Sequence, residues 1–266
     1  MARKRTPSIT SEKLLAQLKD RITNVKNTFE FKAWLTCLSK FHKYSWRNRM
    51  LILMQNPDAT KVMGYTQWKQ VGRQVKAGEK GIKILRPNPK KIKKDDGEEG
   101  MIMYFKITTV FDISQTEGDA LPTLDICTYQ DEGKQYIPGL LEYAKRQGID
   151  VTLNADIGSA FGVSKMGSIE LKAGAPSDIF STLVHELAHE EIHTKEERIK
   201  GTKQQKEFEA ESVAFVVCIT LGVPTTSDKY LATYPDYDLM KSLKVISDCA
   251  EHILDAIQAD PIELVA

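Results

Sequence analysis

The sequence predicts an α+β protein of two domains, because two kinds of hydrophobic pattern and a sharp charge division run along its 266 residues. Helical and strand-like periods alternate in both halves of the chain. Positions 1–94 contain 23 Lys and Arg against 5 Asp and Glu, whereas positions 95–266 contain 14 against 31. A Gly-, Pro- and acid-rich stretch, 116–134, is the candidate domain boundary, so we expect domains at 1–125 and 126–266. The 41% apolar content excludes a wholly disordered or fibrous chain.

The first half begins with helices. Apolar residues recur at helical spacing over 14–18 and again over 31–38, and Ser45 is a candidate N-cap for a third helix that ends at Gln55. Thr66 is predicted to cap a short fourth helix. Trp34 and Trp68 lie at apolar helical positions, which favours a place in the core.

A β-hairpin is predicted to follow these helices. Residues 82–85 have a strand pattern that Pro87 is expected to end, and residues 101–111 form a second strand. The charged segment 89–100 between them indicates an exposed hairpin loop.

The second half alternates helices and short strands. Periodicity predicts helices at about 137–147, from 177, at 206–221 and at 239–257, with strands near 151–153 and 168–171. The second of these strands is a candidate edge for pairing with an extended peptide, although an ordinary edge strand fits the pattern equally.

The sequence STLVHELAHEEIH contains an HExxH motif formed by His185, Glu186 and His189. Residues four apart share one face of a helix, so both imidazoles can reach one metal ion while Glu186 points to its open side. Zn²⁺ with three protein ligands supports peptide hydrolysis, with a carboxylate as proton acceptor. The alternative is a surface helix whose histidines pair with neighbouring acids.

A third ligand is needed, and the helix at KEFEAESVAF offers it. Glu207 and Glu211 share a face, so one of them should bind the ion and the other should orient a ligand histidine. Glu209 is turned away from both and is expected to be solvated. His193 lies about 12 Å along the helix from His185, so we expect it to orient or pack rather than bind.

The block HELAHEEIH followed by EFEAESVAF resembles the ImmA/IrrE-type metallopeptidases, which are similar to gluzincins. The resemblance implies a zincin-like domain in which Glu186 is catalytic and the metal ligands are His185, His189 and Glu207. Glu211 is then the supporting residue. An acidic first helical turn without a metal is the alternative for the two glutamates. Tyr234 and Tyr237 are candidate oxyanion donors.

Aromatic residues are interleaved with basic ones in the first half. A cationic groove with exposed rings is typical of single-stranded DNA binding, because phosphates attract the cations and every base can stack. The residues predicted to contact DNA are Tyr44, Trp46, Arg47, Arg49, Arg73, Lys76, Lys80 and Lys83.

The segment FHKYSWRNRMLILMQNPDATKVMGYTQWKQVGRQVKAGEKGIKILRP, with FKITTVFDISQTEG after it, resembles the N-terminal domain of ArdC-type antirestriction proteins. The resemblance covers residues 10–118 and implies single-stranded DNA binding by a protein of a mobile element, with the metallopeptidase-like block in the same order. A peptide or protein substrate is a further expected partner. Two alternatives are a DNA-binding protein with an inactive or structural zinc site and a regulatory protease that cleaves a repressor.

The four cysteines, Cys37, Cys127, Cys218 and Cys249, contain no CxxC pair. Reduced thiols in the cytoplasm are therefore expected. The longest apolar runs are too short or too polar for a bilayer, so we expect no membrane anchor and no secretion.

Overall fold

The structure is a computed structural model that describes residues 10–23, 28–41, 44–93, 99–121, 133–193, 202–225 and 239–259. It forms two compact units, one of Met1–Asn24 with Lys43–Thr123 and the other of Val25–His42 with Leu124–Ala266. Both units combine helices with strands, so the predicted α+β class is confirmed. The predicted boundary at 125/126 lies outside the described residues.

The described residues of the first unit form three α-helices and five strands. The helices are α1 (Ser11–Thr23), α3 (Trp46–Gln55) and α4 (Tyr65–Gln70). The strands are β1 (Val62–Gly64), β2 (Arg73–Val75), β3 (Ile82–Lys93), β4 (Glu99–Asp112) and β5 (Thr116–Gly118). One antiparallel sheet has the order β1-β4-β3, and β2 pairs with β5 in a second.

Two predicted caps differ in the structure. Ser45 is at the N-cap of α3, but its side chain makes no capping hydrogen bond. Helix α4 begins at Tyr65 rather than after Thr66, because the Gln67 side chain accepts the backbone N–H of Gly64 at 2.9 Å. Trp34 and Trp68 are buried, as predicted.

Strand β3 continues through Pro87 to Lys93, so the prediction that proline ends it is wrong. It is an edge strand, and α3 covers the free side of its first half: the Asn48 amide donates to the Leu85 carbonyl and accepts its N–H, both at 2.8 Å. The Gln55 amide likewise donates to the Lys83 carbonyl and accepts the Lys83 N–H, both at 2.8 Å. Pro87 and Pro89 follow Lys83 and Leu85 at alternate positions of β3, whose backbone groups point to the free edge. Because no strand pairs with that edge, the N–H that proline lacks is not needed for the sheet.

The hairpin prediction is confirmed, with longer strands than expected. Strands β3 and β4 pair from Ile82 opposite Val110 to Lys93 opposite Glu99. Only residues 94–98 lie between the two strands, and they are outside the described residues.

Asp112 fixes the end of the hairpin to the loop before β1. Its carboxylate accepts the N–H groups of Thr60 at 2.8 Å, Lys61 at 3.0 Å and Ser114 at 2.9 Å, and also the Ser114 hydroxyl at 2.7 Å. Burial raises the pKa of this carboxyl, but the four hydrogen bonds outweigh burial and the pKa is lowered overall.

We expect Asp112→Asn to lower the free energy of unfolding by about 1.5–3 kcal/mol at pH 7, the cost of losing hydrogen bonds to a charged acceptor. Because the folded pKa is below the unfolded one, this stabilisation is complete above the unfolded value and disappears as pH falls through the folded value. Denaturant titrations of both proteins at pH 7 and at pH 3 measure the effect. A difference that stays constant between the two pH values would contradict this explanation.

The second unit contains α2 (Thr28–Lys40) and the chain after residue 124. Its other helices are α5 (Ile137–Arg146), α6 (Pro176–Ile192), α7 (Lys203–Leu221) and α8 (Leu239–Ala259). Its strands are β6 (Asp150–Leu153), β7 (Gly162–Ser164) and β8 (Ser168–Leu171), in the order β6-β8-β7. Strand β8 is parallel to β6 and antiparallel to β7.

Helix α7 is buried at nearly every position over residues 208–218, so other elements cover it on several sides. Helices α6 and α8 pack against it, and so does α2. The Phe31 ring of α2 lies 4.7 Å from the Phe208 ring of α7. Helix α2 therefore groups with the second unit, which differs from the predicted 1–125 domain.

Within the part of the chain that the structure describes, no helix is long and apolar enough to cross a membrane.

Candidate metal centre and nucleic-acid surface

Helix α6 presents His185 and His189 together because one side of the helix is anchored in the core. Phe180, Leu183 and Leu187 are buried, which leaves the histidine face toward a cleft. The Nε2 atoms of the two imidazoles lie 3.1 Å apart. Both rings therefore direct one nitrogen to the same point.

Glu207 of α7 reaches this point from the neighbouring helix. Its Oε2 atom lies 3.5 Å from His185 Nε2 and 3.6 Å from His189 Nε2. The three donor atoms lie within 4.8 Å of one another. A tetrahedral ion with bonds of about 2.0–2.1 Å to nitrogen separates two ligand nitrogens by about 3.3 Å, so the donor set fits one divalent ion.

The electrostatics of the cluster favour a cation. Contact with His185 and His189 lowers the pKa of Glu207 well below its usual range, so the carboxylate is ionised. Burial lowers the pKa of His185, but Glu207, Glu211 and Glu186 outweigh it and the pKa is raised overall. Glu211 lies 3.6 Å from His185 Nδ1, the nitrogen that faces away from the cluster.

Glu186 lies beside the cluster in a buried position. Burial raises the pKa of its carboxyl, while the two histidines and the Ser164 backbone N–H act in the opposite direction. Gly162 of β7 packs so closely that a Cβ there would lie 2.9 Å from Glu186 Cγ. A glycine is thus required for this strand to approach the carboxylate.

Strand β7, not β8, borders the cleft. Strand β8 is the middle strand of its sheet, so the prediction of an edge at residues 168–171 is wrong. The cleft has a volume of about 620 Å³ and is lined by Phe161, Gly162, Val163 and Ser164 together with the histidines and glutamates. Glu190 of α6 holds the β7–β8 turn, since it accepts the N–H groups of Met166 at 2.8 Å and Gly167 at 2.7 Å.

A buried chain of polar groups extends from His189. Its Nδ1 atom lies 3.0 Å from His193 Nδ1, and His193 Nε2 lies 3.1 Å from Glu209 Oε2. Glu209 also accepts from Ser242 and Gln205. The prediction that Glu209 is solvated is wrong, because α8 covers that face of α7 and leaves the residue 5% exposed.

The hydrogen bonds from His189 through His193 to Glu209 fix the tautomer of His189. If Nε2 faces the metal point, Nδ1 carries the proton and donates to His193, whose Nε2–H donates to the Glu209 carboxylate. Burial raises the pKa of Glu209, but its hydrogen bonds with His193, Ser242 and Gln205 lower it overall and keep the carboxylate ionised. The sequence feature that could have indicated a buried polar partner is Ser242, a polar residue on an apolar helix face.

We expect Glu209→Gln to weaken metal binding by about 10- to 100-fold, since it removes the charge that orients His193 and through it His189. Competition with a chelating dye measures the affinity. Glu191→Gln is a matched control on α6, because Glu191 accepts from Tyr143 and His252 rather than from the cluster. Equal affinities in the wild type and Glu209→Gln would refute the orienting role.

Two of the residues predicted to contact DNA are buried. Arg49 is 1% exposed, and its Nε donates to the Tyr44 carbonyl. Trp46 is also buried, and the Tyr44 hydroxyl donates to the Val62 carbonyl at 2.9 Å. The predicted contacts by Trp46 and Arg49 are corrected accordingly, because both side chains belong to the core of the first unit.

Other predicted contacts bind their own unit. Arg73 donates to Thr116 and Gly118, Lys76 to the Ser114 carbonyl and Lys83 to the Thr109 hydroxyl. The Arg47 guanidinium lies 4.9 Å from the Trp46 ring centre, and Lys80 is exposed. Tyr234 and Tyr237, the candidate oxyanion donors, lie outside the described residues.

A comparison with protein-family models and a comparison with solved structures both find similarity to the same protein. Residues 8–111 match a family model described as the N-terminal domain of anti-restriction factor ArdC. The crystal structure of antirestriction protein ArdC from plasmid R388, metal-free, matches with a TM-score of 0.53 at 19% identity, over 81% of this chain and 86% of that chain. The chain has the ArdC fold. Residues 8–111 are thus similar to the N-terminal domain of ArdC, and the fold is shared over most of both chains.

Two further matches extend the comparison. The Mn(II)-bound structure of the same ArdC gives a TM-score of 0.48 at 20% identity, over 83% of this chain and 90% of that chain. An uncharacterized protein of Bacillus anthracis, pXO2-81, is 26% identical over 247 residues, which cover 74% of this chain and 41% of that protein. The chain thus spans about two fifths of the length of this curated relative.

Proposed function

We propose that this protein is an antirestriction protein of a mobile element, which binds single-stranded DNA through its first unit and carries a metal-dependent peptidase site in its second. The observation that carries the peptidase half is the convergence of His185, His189 and Glu207 beside a buried glutamate. The ArdC family match over residues 8–111 supports the antirestriction half. The protein would act in the cytoplasm, where Cys37, Cys218 and Cys249, which are buried and unbridged, remain reduced.

His185 Nε2, His189 Nε2 and a Glu207 oxygen would hold the ion, and two imidazoles with one carboxylate are typical of a catalytic Zn²⁺ site. When bound there, Zn²⁺ would polarise a peptide carbonyl and lower the pKa of water. Glu211 and the His193–Glu209 pair hold the two imidazoles in place through their outward nitrogens. Glu207 is about half exposed, so the ligand cluster opens into the cleft, as a substrate requires.

Glu186 is the proton acceptor in this proposal. Its carboxylate lies at the same side of α6 as the cluster and is held against β7 by the Ser164 N–H. It takes a proton from water and passes it to the leaving amine. Burial raises the pKa of the Glu186 carboxyl above its usual value.

The substrate is an extended segment of a peptide or protein. Strand β7 borders the cleft, and an extended chain can add to a short strand by main-chain hydrogen bonds. Phe161, 68% exposed at the cleft, offers an apolar surface to one substrate side chain.

Fluorescence anisotropy of a labelled 20-nucleotide oligothymidine tests the DNA half. The three tryptophans are buried, so a label on the DNA reports binding better than intrinsic fluorescence. We expect the logarithm of the affinity to fall linearly with the logarithm of the salt concentration. Absence of salt-dependent binding by the full chain would refute this half of the proposal.

A further inference from the structure

The outer half of the β3–β4 hairpin is exposed on both faces. We call it the distal ribbon and define it as residues 86–91 of β3 with 101–106 of β4. The strands enter it from the core, where Ile84 and Leu85 are buried, but every residue of the ribbon is exposed or half-buried. Large side chains are included, with Met101 67% and Tyr104 46% exposed.

The register gives the ribbon two different faces, because residues directly opposite in an antiparallel pair lie on the same side. Arg86 is opposite Lys106, Asn88 is opposite Tyr104 and Lys90 is opposite Ile102. This side, the basic face, has three cations and one aromatic ring. The other side consists of Pro87, Pro89, Lys91, Met101, Met103 and Phe105.

The cations of the basic face are available to a partner. The two ribbon segments contain no Asp or Glu. Among the described residues, the structure gives Arg86, Lys90 and Lys106 no acidic partner, in contrast to the internal hydrogen bonds of Arg73, Lys76 and Lys83. Lys90 Nζ lies 6.0 Å from the centre of the Tyr104 ring, which places a cation beside an exposed stacking surface.

We propose that the basic face of the distal ribbon is the surface that binds single-stranded DNA, an assignment that rests on the DNA-binding half of the proposed function. Three cations bind phosphates, and the Tyr104 ring stacks on a base of any identity. From Arg86 to Lys90 the strand extends about 13 Å, enough for a short stretch of a single strand.

The charge of the sequence between β3 and β4 favours a single strand over a duplex. A β-ribbon can enter a groove of duplex DNA, which brings its turn close to the phosphates that line the groove. Here residues 94–98, which connect the two strands in the sequence, contain Asp95, Asp96 and Glu98 against one cation, Lys94, and phosphates repel this net negative charge. The observations therefore favour a single strand that lies across the ribbon rather than insertion of the end of the hairpin into a groove.

The test compares two charge-matched triple variants of the full chain by oligothymidine anisotropy. One is Arg86→Gln/Lys90→Gln/Lys106→Gln on the basic face, and the other is Lys145→Gln/Arg146→Gln/Lys241→Gln on exposed positions of the second unit. Each phosphate contact contributes about 0.7 to the slope of log affinity against log salt concentration for a single strand. Because the ribbon variant removes three cations, we expect it to reduce this slope by about 2. The control variant should leave the slope unchanged.

A third variant separates stacking from charge. Tyr104→Leu should weaken binding by about 5- to 100-fold with little change in slope, because one stacked base is lost. Thermal unfolding verifies that each variant is folded. If the wild type binds and the ribbon variant keeps its slope, or both triple variants lose it equally, the ribbon assignment is overturned. Equal competition by a 20-base-pair duplex would overturn the preference for single strands, and no binding by the wild type would refute the DNA half itself.

Discussion

Glu186→Gln is expected to reduce peptide hydrolysis by about 10²- to 10⁴-fold, the usual contribution of a positioned general base. Glutamine has nearly the same shape and fits between α6 and β7, but it cannot accept the proton. Metal content should not change, because Glu186 is not among the three converging donors. Hydrolysis of an unstructured peptide library, followed by mass spectrometry, measures the effect.

Glu142→Gln is the matched control, since Glu142 is an exposed residue of α5 far along the sequence from the motif. A Glu186→Gln protein that hydrolyses peptides at the wild-type rate would contradict the catalytic role.

The same variant tests in cells whether peptide hydrolysis is needed for antirestriction. If unmodified DNA is still protected from restriction, hydrolysis is not the means of protection, and the alternative with a structural zinc site is favoured.

Removal of one metal ligand is expected to cause the second large effect, a loss of metal affinity. Wild-type protein should contain about one ion per chain, and His185→Ala should lower the affinity on the order of 10²- to 10³-fold, because one of three protein ligands is lost. Elemental analysis after dialysis gives both the stoichiometry and the identity of the metal, for which we expect zinc. Wild-type protein that never retains metal would refute the site.

Glu207→Gln and Glu211→Gln together test the assignment of the third ligand. We expect the first to release the ion and the second to weaken binding only about 10- to 100-fold, since Glu211 contacts the outward nitrogen of His185. The opposite ranking would exchange the two roles.

Local patterns in the sequence predicted the parts of the fold that depend on neighbouring residues. The i, i+4 spacing of His185 and His189 follows from helical geometry, and that geometry holds in any context. Helix periodicity likewise predicted α5, α7 and α8 to within a few residues. The charge division follows from residue type alone, and the burial of Trp34 and Trp68 follows from their apolar positions on helices.

Other features depended on what packs against each residue. Proline usually ends a strand, yet Pro87 is accommodated because β3 is an edge strand whose free side needs no donor there. Glu209 was predicted to be solvated from its position on α7, but α8 covers that side of the helix and leaves the residue buried. Arg49 has the charge of a DNA contact and nevertheless lies in the core, where its Nε–H donates a hydrogen bond to the Tyr44 carbonyl.

The sequence by itself determined which helix carries the histidines, which residue types surround them and which half of the chain is basic. Only the tertiary structure decided that Glu207 meets the two Nε2 atoms, that His193 and Glu209 support His189, and that Arg86, Lys90, Tyr104 and Lys106 share one exposed face. The physical reason is that spacing along a helix or strand fixes direction locally, whereas burial and the partner of each polar atom depend on elements distant in sequence.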